Sequence, residues 1–254
     1  MKTTVIIILV AAIVIASYYA GVLLGSETII IETRSTGPVI YKPYSNLTNI
    51  PNATTASIVV PAIDQSGNGV ATNLTVQVVP GSGKTLVNID KLLFWVDTQN
   101  SIRTARFVAE DVLTLNMSYY DLVFAIEANA TVIEGPSAGA ALTVATIAAL
   151  GNKTINQDVM ITGTINSDGT IGSVGEILAK ASAARDFGAT MFLVPATQSI
   201  VVTYELRRHC EEVGWTEVCT TENIPKEVNI ANETGINIIE VANIEEALEY
   251  IIKP

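Results

Sequence analysis

Histidine occurs once in these 254 residues, cysteine twice, and lysine plus arginine only 14 times against 25 aspartates and glutamates. Each shortage closes off a class of function. At a net charge of −11, with no basic run, the chain is not built to bind nucleic acid by neutralising phosphates. Two cysteines are too few for a disulfide framework or a zinc site, and no pattern calls for a metal or a cofactor. The single His209 lies in "ELRRHCEEVG", crowded by Arg207 and Arg208, and reads as a surface residue rather than the base of a Ser-His pair. Cys210 and Cys219 are nine positions apart, a spacing that suits either a bridge across a short loop or two unpaired thiols. There is no internal repeat.

What the chain does have begins at its start. Residues 3–25 carry no charge and are long enough to cross a bilayer as a helix. Lys2 before this run, and Glu27 and Glu32 after it, favour a cytoplasmic N-terminus with the remainder outside the cell membrane. Secretory signal cores are shorter, so residues 1–25 read as an uncleaved single-pass signal-anchor. Asn-x-Ser/Thr sequons at Asn46, Asn52, Asn73, Asn116, Asn129, Asn152 and Asn232 fit an extracytoplasmic face. Residues 26–56, rich in Pro, Asn, Ser and Thr, form a linker, and residues 57–254 form the domain.

Within the domain, "SIVVPAID" and "VATNLTVQVVP" predict strands, and "KTLVNIDKLLFWVD" (residues 84–97) predicts another. The period then changes. Ile102, Ala105, Val108, Ala109, Val112 and Leu113 fall at helical spacing, and "YYDLVFAIEA" follows as a buried strand. A helix after Ser137 runs to about Leu150 and stops at "GN"; next come a strand "DVMITGTI", a turn "NSDGT" and a helix from about Gly175 to Phe187. A strand "TMFLVP", a long variable stretch, a strand "INIIEV" and a helix "NIEEALEYIIK" close the chain. Central α/β units with paired strands before them indicate an α+β or α/β domain. "VVPGSGKTL" contains GSGKT, yet the first glycine of a phosphate loop is replaced by Val78, so a tight turn between strands is the reading.

The chemistry-bearing stretch is "TVIEGPSAGAALTVATIAAL", which leaves one hydroxyl, Ser137, where a Gly-Pro turn meets an apolar helix. Serine there is a common helix cap, but it is also where a nucleophile would find backbone N–H groups to hold an oxyanion. A nucleophile needs a base, and with histidine set aside a neutral lysine is the substitute. In "GEILAKASAARDFG", counting Glu176 as zero, Lys180 lies at about 40° between Phe187 and Ala184 on the apolar stripe. Arg185, Ser182 and Asp186 lie opposite. Lys180 either snorkels to water from that stripe or is buried, and burial lowers a lysine pKa. A carboxylate touching the amine would oppose that, so Glu134 should stand to one side or be exposed.

These residues resemble the proteolytic domain of Lon proteases, which uses a Ser-Lys dyad. The likeness lies in "EGPSAG", in "ITGTI" and in "GSVGEILAKASAARDFGATMFLVP", with Lys180 43 positions after Ser137. It implies the Lon-type proteolytic fold, Ser137 as nucleophile, Lys180 as general base, Thr162 as a hydroxyl partner of the lysine and Glu134 as an acidic neighbour. It implies polypeptide substrates, no cofactor and assembly into hexameric rings. Together with the membrane run and the missing ATPase motif, the chain looks like an archaeal, ATP-independent Lon-like serine endopeptidase. A small-molecule kinase of related fold, or a binding scaffold that has lost turnover, are the rival expectations.

Overall fold

Strands β1 (Thr54–Ile63) and β2 (Gly69–Pro80) form an antiparallel ribbon whose turn is held by the Asp64 carboxylate, which accepts the Ser66 and Asn68 N–H groups. The computed structural model describes residues 50, 53–64, 66–88, 96–127 and 135–253. On β2, Leu74, Val76 and Val78 alternate into the main core, and Thr75 and Gln77 between them are buried as well, so this stretch is covered on both faces. β4 (Tyr120–Glu127) pairs antiparallel with β2, and β3 (Thr85–Val87) runs parallel to β4, giving the order β1-β2-β4-β3.

Of the strand expected over residues 84–97, the described residues show β3 at Thr85–Val87, and residues 89–95 lie outside the described residues. Val96 and Asp97 instead open helix α1 (Val96–Leu113), and Val96 is 69% exposed, so its apolar character there signals no sheet. Burial along α1 follows Thr98, Ser101, Ile102, Ala105, Val108 and Ala109, a helical stripe. The GSGKT segment is the tight turn from β2 to β3. Its Ser82 and Lys84 N–H groups both donate to the Asp121 carboxylate, at 2.8 and 2.7 Å, so these amides already hold an anion from the protein itself. Those bonds keep the Asp121 carboxyl below its usual pKa.

Helix α2 (Gly139–Leu150) lies at the centre, packed on β1, β2 and α1. Gly139 through Ala149 are all buried, as befits a helix apolar on every side. Its two polar groups are satisfied locally, because Thr143 and Thr146 donate their hydroxyls to Gly139 O and Leu142 O, at 2.8 and 2.7 Å. At its end the left-handed residue is Asn152 (φ 49°), not the preceding Gly151 (φ −83°).

The second half carries a parallel sheet of β5 (Val159–Ile161), β8 (Met191–Pro195) and β11 (Asn237–Val241), in the order β11-β8-β5. The strand expected over residues 158–165 breaks at Gly163 into β5 and β6 (Thr164–Ile165), and β6 pairs with β7 (Ile171–Gly172). Helices α3 (Ile177–Phe187) and α4 (Ile230–Thr234) close a second core around Met160, Phe192, Val194 and Ile236, and α5 (Ile244–Ile251) packs on α2. The architecture is the expected α+β one.

The long stretch after β8 is not irregular. It folds as an antiparallel hairpin of β9 (Ile200–Val213) and β10 (Thr216–Asn229), exposed along nearly all its length. Cys210 and Cys219 stand directly opposite one another in it and are bridged. A two-stranded ribbon is marginal in water by itself, so this cross-link sustains the outer part of the arm. Reducing it should speed amide exchange at residues 207–222 while leaving exchange of the buried α2 amides unchanged; equal acceleration in both would show that the arm supports the core.

Among the described residues no helix is long and apolar enough to cross a membrane. The apolar run over residues 3–25, the linker to residue 49 and Glu134 lie outside the described residues.

Candidate active site

Ser137 sits in a single 3₁₀ turn, Pro136–Ala138, entered through Gly135 at φ 93° and leading into α2. Proline suits this place because its fixed φ is helical and its missing N–H would have no partner there. The serine does not cap the helix. Neither the turn nor α2 has a side-chain cap, and Ser137 Oγ makes no hydrogen bond among the described residues.

Its backbone is held instead. Ser137 O accepts the Gly163 N–H at 3.0 Å and the Thr162 hydroxyl at 3.3 Å, while Gly163 O accepts the Ala140 N–H at 3.0 Å. Thr162 is itself tied to the parallel sheet by its N–H to Leu193 O at 3.1 Å. The break between β5 and β6 thus clamps the serine turn from both sides. Thr162 is fully buried, and the partner of its hydroxyl is the serine carbonyl, a contact the sequence reading had placed at the lysine.

Lys180, on the first turns of α3, is 5% exposed, so it does not snorkel to bulk water. Desolvation drives its pKa down to about 8, against an opposing pull from the Glu176 carboxylate. At about 8, roughly one amine in ten is neutral at pH 7. The apolar stripe is otherwise as expected at Ile177, Ala181 and Ala184, but Phe187, its last member, is 58% exposed where the helix ends. Glu176 is a charged neighbour of Lys180 not among the residues expected at the site. It stands one turn before Lys180 at left-handed φ 54°, and that four-residue spacing is a usable signal.

Ser137 and Lys180 line one cavity of about 310 Å³, with Ala62 and Ile63 from the end of β1, the Ser173–Gly175 segment and Glu176. His209, by contrast, is on the arm, exposed and paired with Glu211. A serine at the mouth of a buried helix and a desolvated lysine, brought by different elements into one small and mostly apolar cavity, define a site equipped for nucleophilic chemistry within an α+β domain.

Comparison with known proteins gives the family. Residues 99–209 match the Lon protease (S16) C-terminal proteolytic domain. The chain is 31% identical to the Lon protease of Buchnera aphidicola subsp. Acyrthosiphon pisum over 71% of its own length and 21% of that protein's. It is 40% identical to the Lon protease of Phenylobacterium zucineum over 30% of this chain and 10% of the relative. The chain therefore contains a proteolytic domain of the Lon family. It spans about a fifth or less of the length of these relatives.

Proposed function

We propose that this domain is a serine endopeptidase in which Ser137 is the nucleophile and Lys180 the general base. The observation that carries this reading is the meeting of a serine turn and a buried, pKa-lowered lysine in one cavity. Neutral Lys180 takes the hydroxyl proton as Ser137 Oγ attacks the peptide carbonyl, and the resulting ammonium returns it to the leaving amine. The acyl-enzyme is then opened by a water that Lys180 deprotonates. Gly139 N–H is committed to Pro136 O and Ala140 N–H to Gly163 O, so the oxyanion is held from the earlier part of the turn, at Ser137 itself.

Thr162 acts as a positioning residue through the Ser137 carbonyl, with Glu134 as the acidic neighbour. Substrates are unfolded or flexible polypeptides, taken without ATP. The occupied amides of the GSGKT turn favour that over a nucleotide-dependent reading. The domain is carried outside the cell on the apolar run of residues 3–25 and assembles as a homo-oligomer, a hexameric ring.

The test is a pH series on cleavage of an unstructured protein, with labelling of Ser137 by a serine-reactive phosphonate run in parallel. Both should rise about tenfold per pH unit below 8 and level off above it, because the active form is the neutral amine and its fraction grows until pH passes the pKa. Flat dependence from pH 6 to 9, or labelling that never reaches Ser137, would sink the assignment. Saturable nucleotide binding would favour the kinase alternative.

A further inference from the structure

We propose that Gln198 is a positioning residue that fixes the rim of the Ser137–Lys180 cavity to the root of the β9–β10 arm. The catalytic readout of this proposal rests on the peptidase reading; its structural readout does not. The rim segment Ser173–Gly175 lines the cavity between the end of β7 and the left-handed Glu176 that starts α3. Val174, at its middle, is gripped at both polar groups by one side chain. Val174 N–H donates to Gln198 Oε1 at 2.9 Å, and Gln198 Nε2 donates to Val174 O at 2.9 Å. A side-chain amide here does what a neighbouring strand would do, for a segment that belongs to no strand.

Gln198 is in turn anchored. Its own N–H donates to Pro195 O, the last residue of β8, at 3.1 Å. The adjacent Ser199 N–H donates to the Glu240 carboxylate of β11 at 2.9 Å, and Ser199 O accepts the Ile230 N–H at 3.0 Å, closing the arm at its base. The bonds from Ser199 and Thr197 keep the Glu240 carboxyl below its usual range, so this anchor stays charged at neutral pH. A continuous set of hydrogen bonds therefore runs from the parallel sheet and the arm's root, through one amide, to the cavity wall.

The wall keeps the lysine dry. Desolvation is the larger influence on Lys180, and Glu176 is the charged residue that opposes it. Strands β1, β2 and β8, which pack on α3, carry no charged residue, and on α4 the one charge, Glu233, is exposed. Freeing Val174 admits water to the cavity, and the titration of Lys180 then moves up toward that of an ordinary lysine.

The experiment uses Gln198→Ala and Gln198→Met in the full chain, the second keeping the bulk while removing both hydrogen bonds. In each, the Lys180 side-chain titration followed by NMR should move up by at least about half a unit, and Val174 amide exchange should accelerate. Cleavage at pH 7 should fall about threefold with its acid limb shifted by the same amount, since the neutral fraction scales tenfold per unit. A folded Gln198→Met protein with wild-type Lys180 titration overturns the proposal, as does a lowered melting temperature without any titration shift. Should Gln198→Ala fail to fold, Gln198→Met decides alone by the same titration. If the wild-type chain cleaves nothing, the peptidase reading fails while the titration still decides the role of Gln198.

Discussion

Lys180→Met is expected to lower peptide cleavage at least about a thousandfold while raising the melting temperature of the protein. The two effects share one cause. A lysine whose pKa falls from 10.5 to about 8 on folding binds its proton more weakly in the folded state, so it costs stability wherever the unfolded chain is protonated. That cost is largest below pH 8 and disappears as pH rises toward 10.5. It amounts to at most about 3 kcal/mol, and methionine, of similar length and without charge, removes it. Ser137→Ala should lose cleavage to the same extent with little change in melting temperature, since Ser137 Oγ makes no hydrogen bond among the described residues. The double variant should be no worse than either single one, because two groups acting in one proton transfer fail together. A Lys180→Met protein that retains a tenth of the wild-type rate would end the dyad reading, and additive losses would separate the two residues into independent roles.

The parts of this molecule that a sequence reveals are those where burial imposes a period. Helix α2 was legible because a run of apolar residues broken only by Thr143 and Thr146 carries no charge and shows no solvent face, and α1 because Ile102, Ala105, Val108 and Ala109 recur at helical spacing. Lys180 was legible for the same reason, as a charge on an apolar stripe. The β9–β10 arm was not. Exposed on both faces, it needs no alternation, and its register rests on backbone pairing and a disulfide. At Val96 and Asp97 the expected strand gives way to helix because an apolar residue, here an exposed one, does not by itself mark a sheet. Within the site, the serine turn is fixed by backbone-to-backbone bonds and the rim by a Gln198 amide far along the chain. Neither leaves a mark in residue type. Only Glu176, four residues before Lys180, offered a local signal that the reading did not use.

Gly163→Ala should cost about 2–4 kcal/mol, or on the order of 10 °C in melting temperature, and should disable the site even in molecules that still fold. Gly163 lies at φ 154°, where a side chain is disfavoured, and a Cβ built on it would stand 2.4 Å from Ile171 Cγ2. The chain relieves the clash by turning the Ile171 side chain or by moving the Gly163 peptide or strand β7. Moving the peptide takes the Gly163 N–H from Ser137 O and the Gly163 carbonyl from the Ala140 N–H, so the serine turn loses two of the bonds that define its place. A misplacement of about an ångström is enough to lower a rate a hundredfold. The two sources of cost can be separated with Ile171→Ala, which removes the methyl group in the way. If steric conflict dominates, the double variant recovers most of the stability lost in Gly163→Ala, measured by a thermal double-mutant cycle. If backbone conformation dominates, the losses add. Wild-type stability and cleavage in Gly163→Ala would mean that the break between β5 and β6 does not hold Ser137 in place.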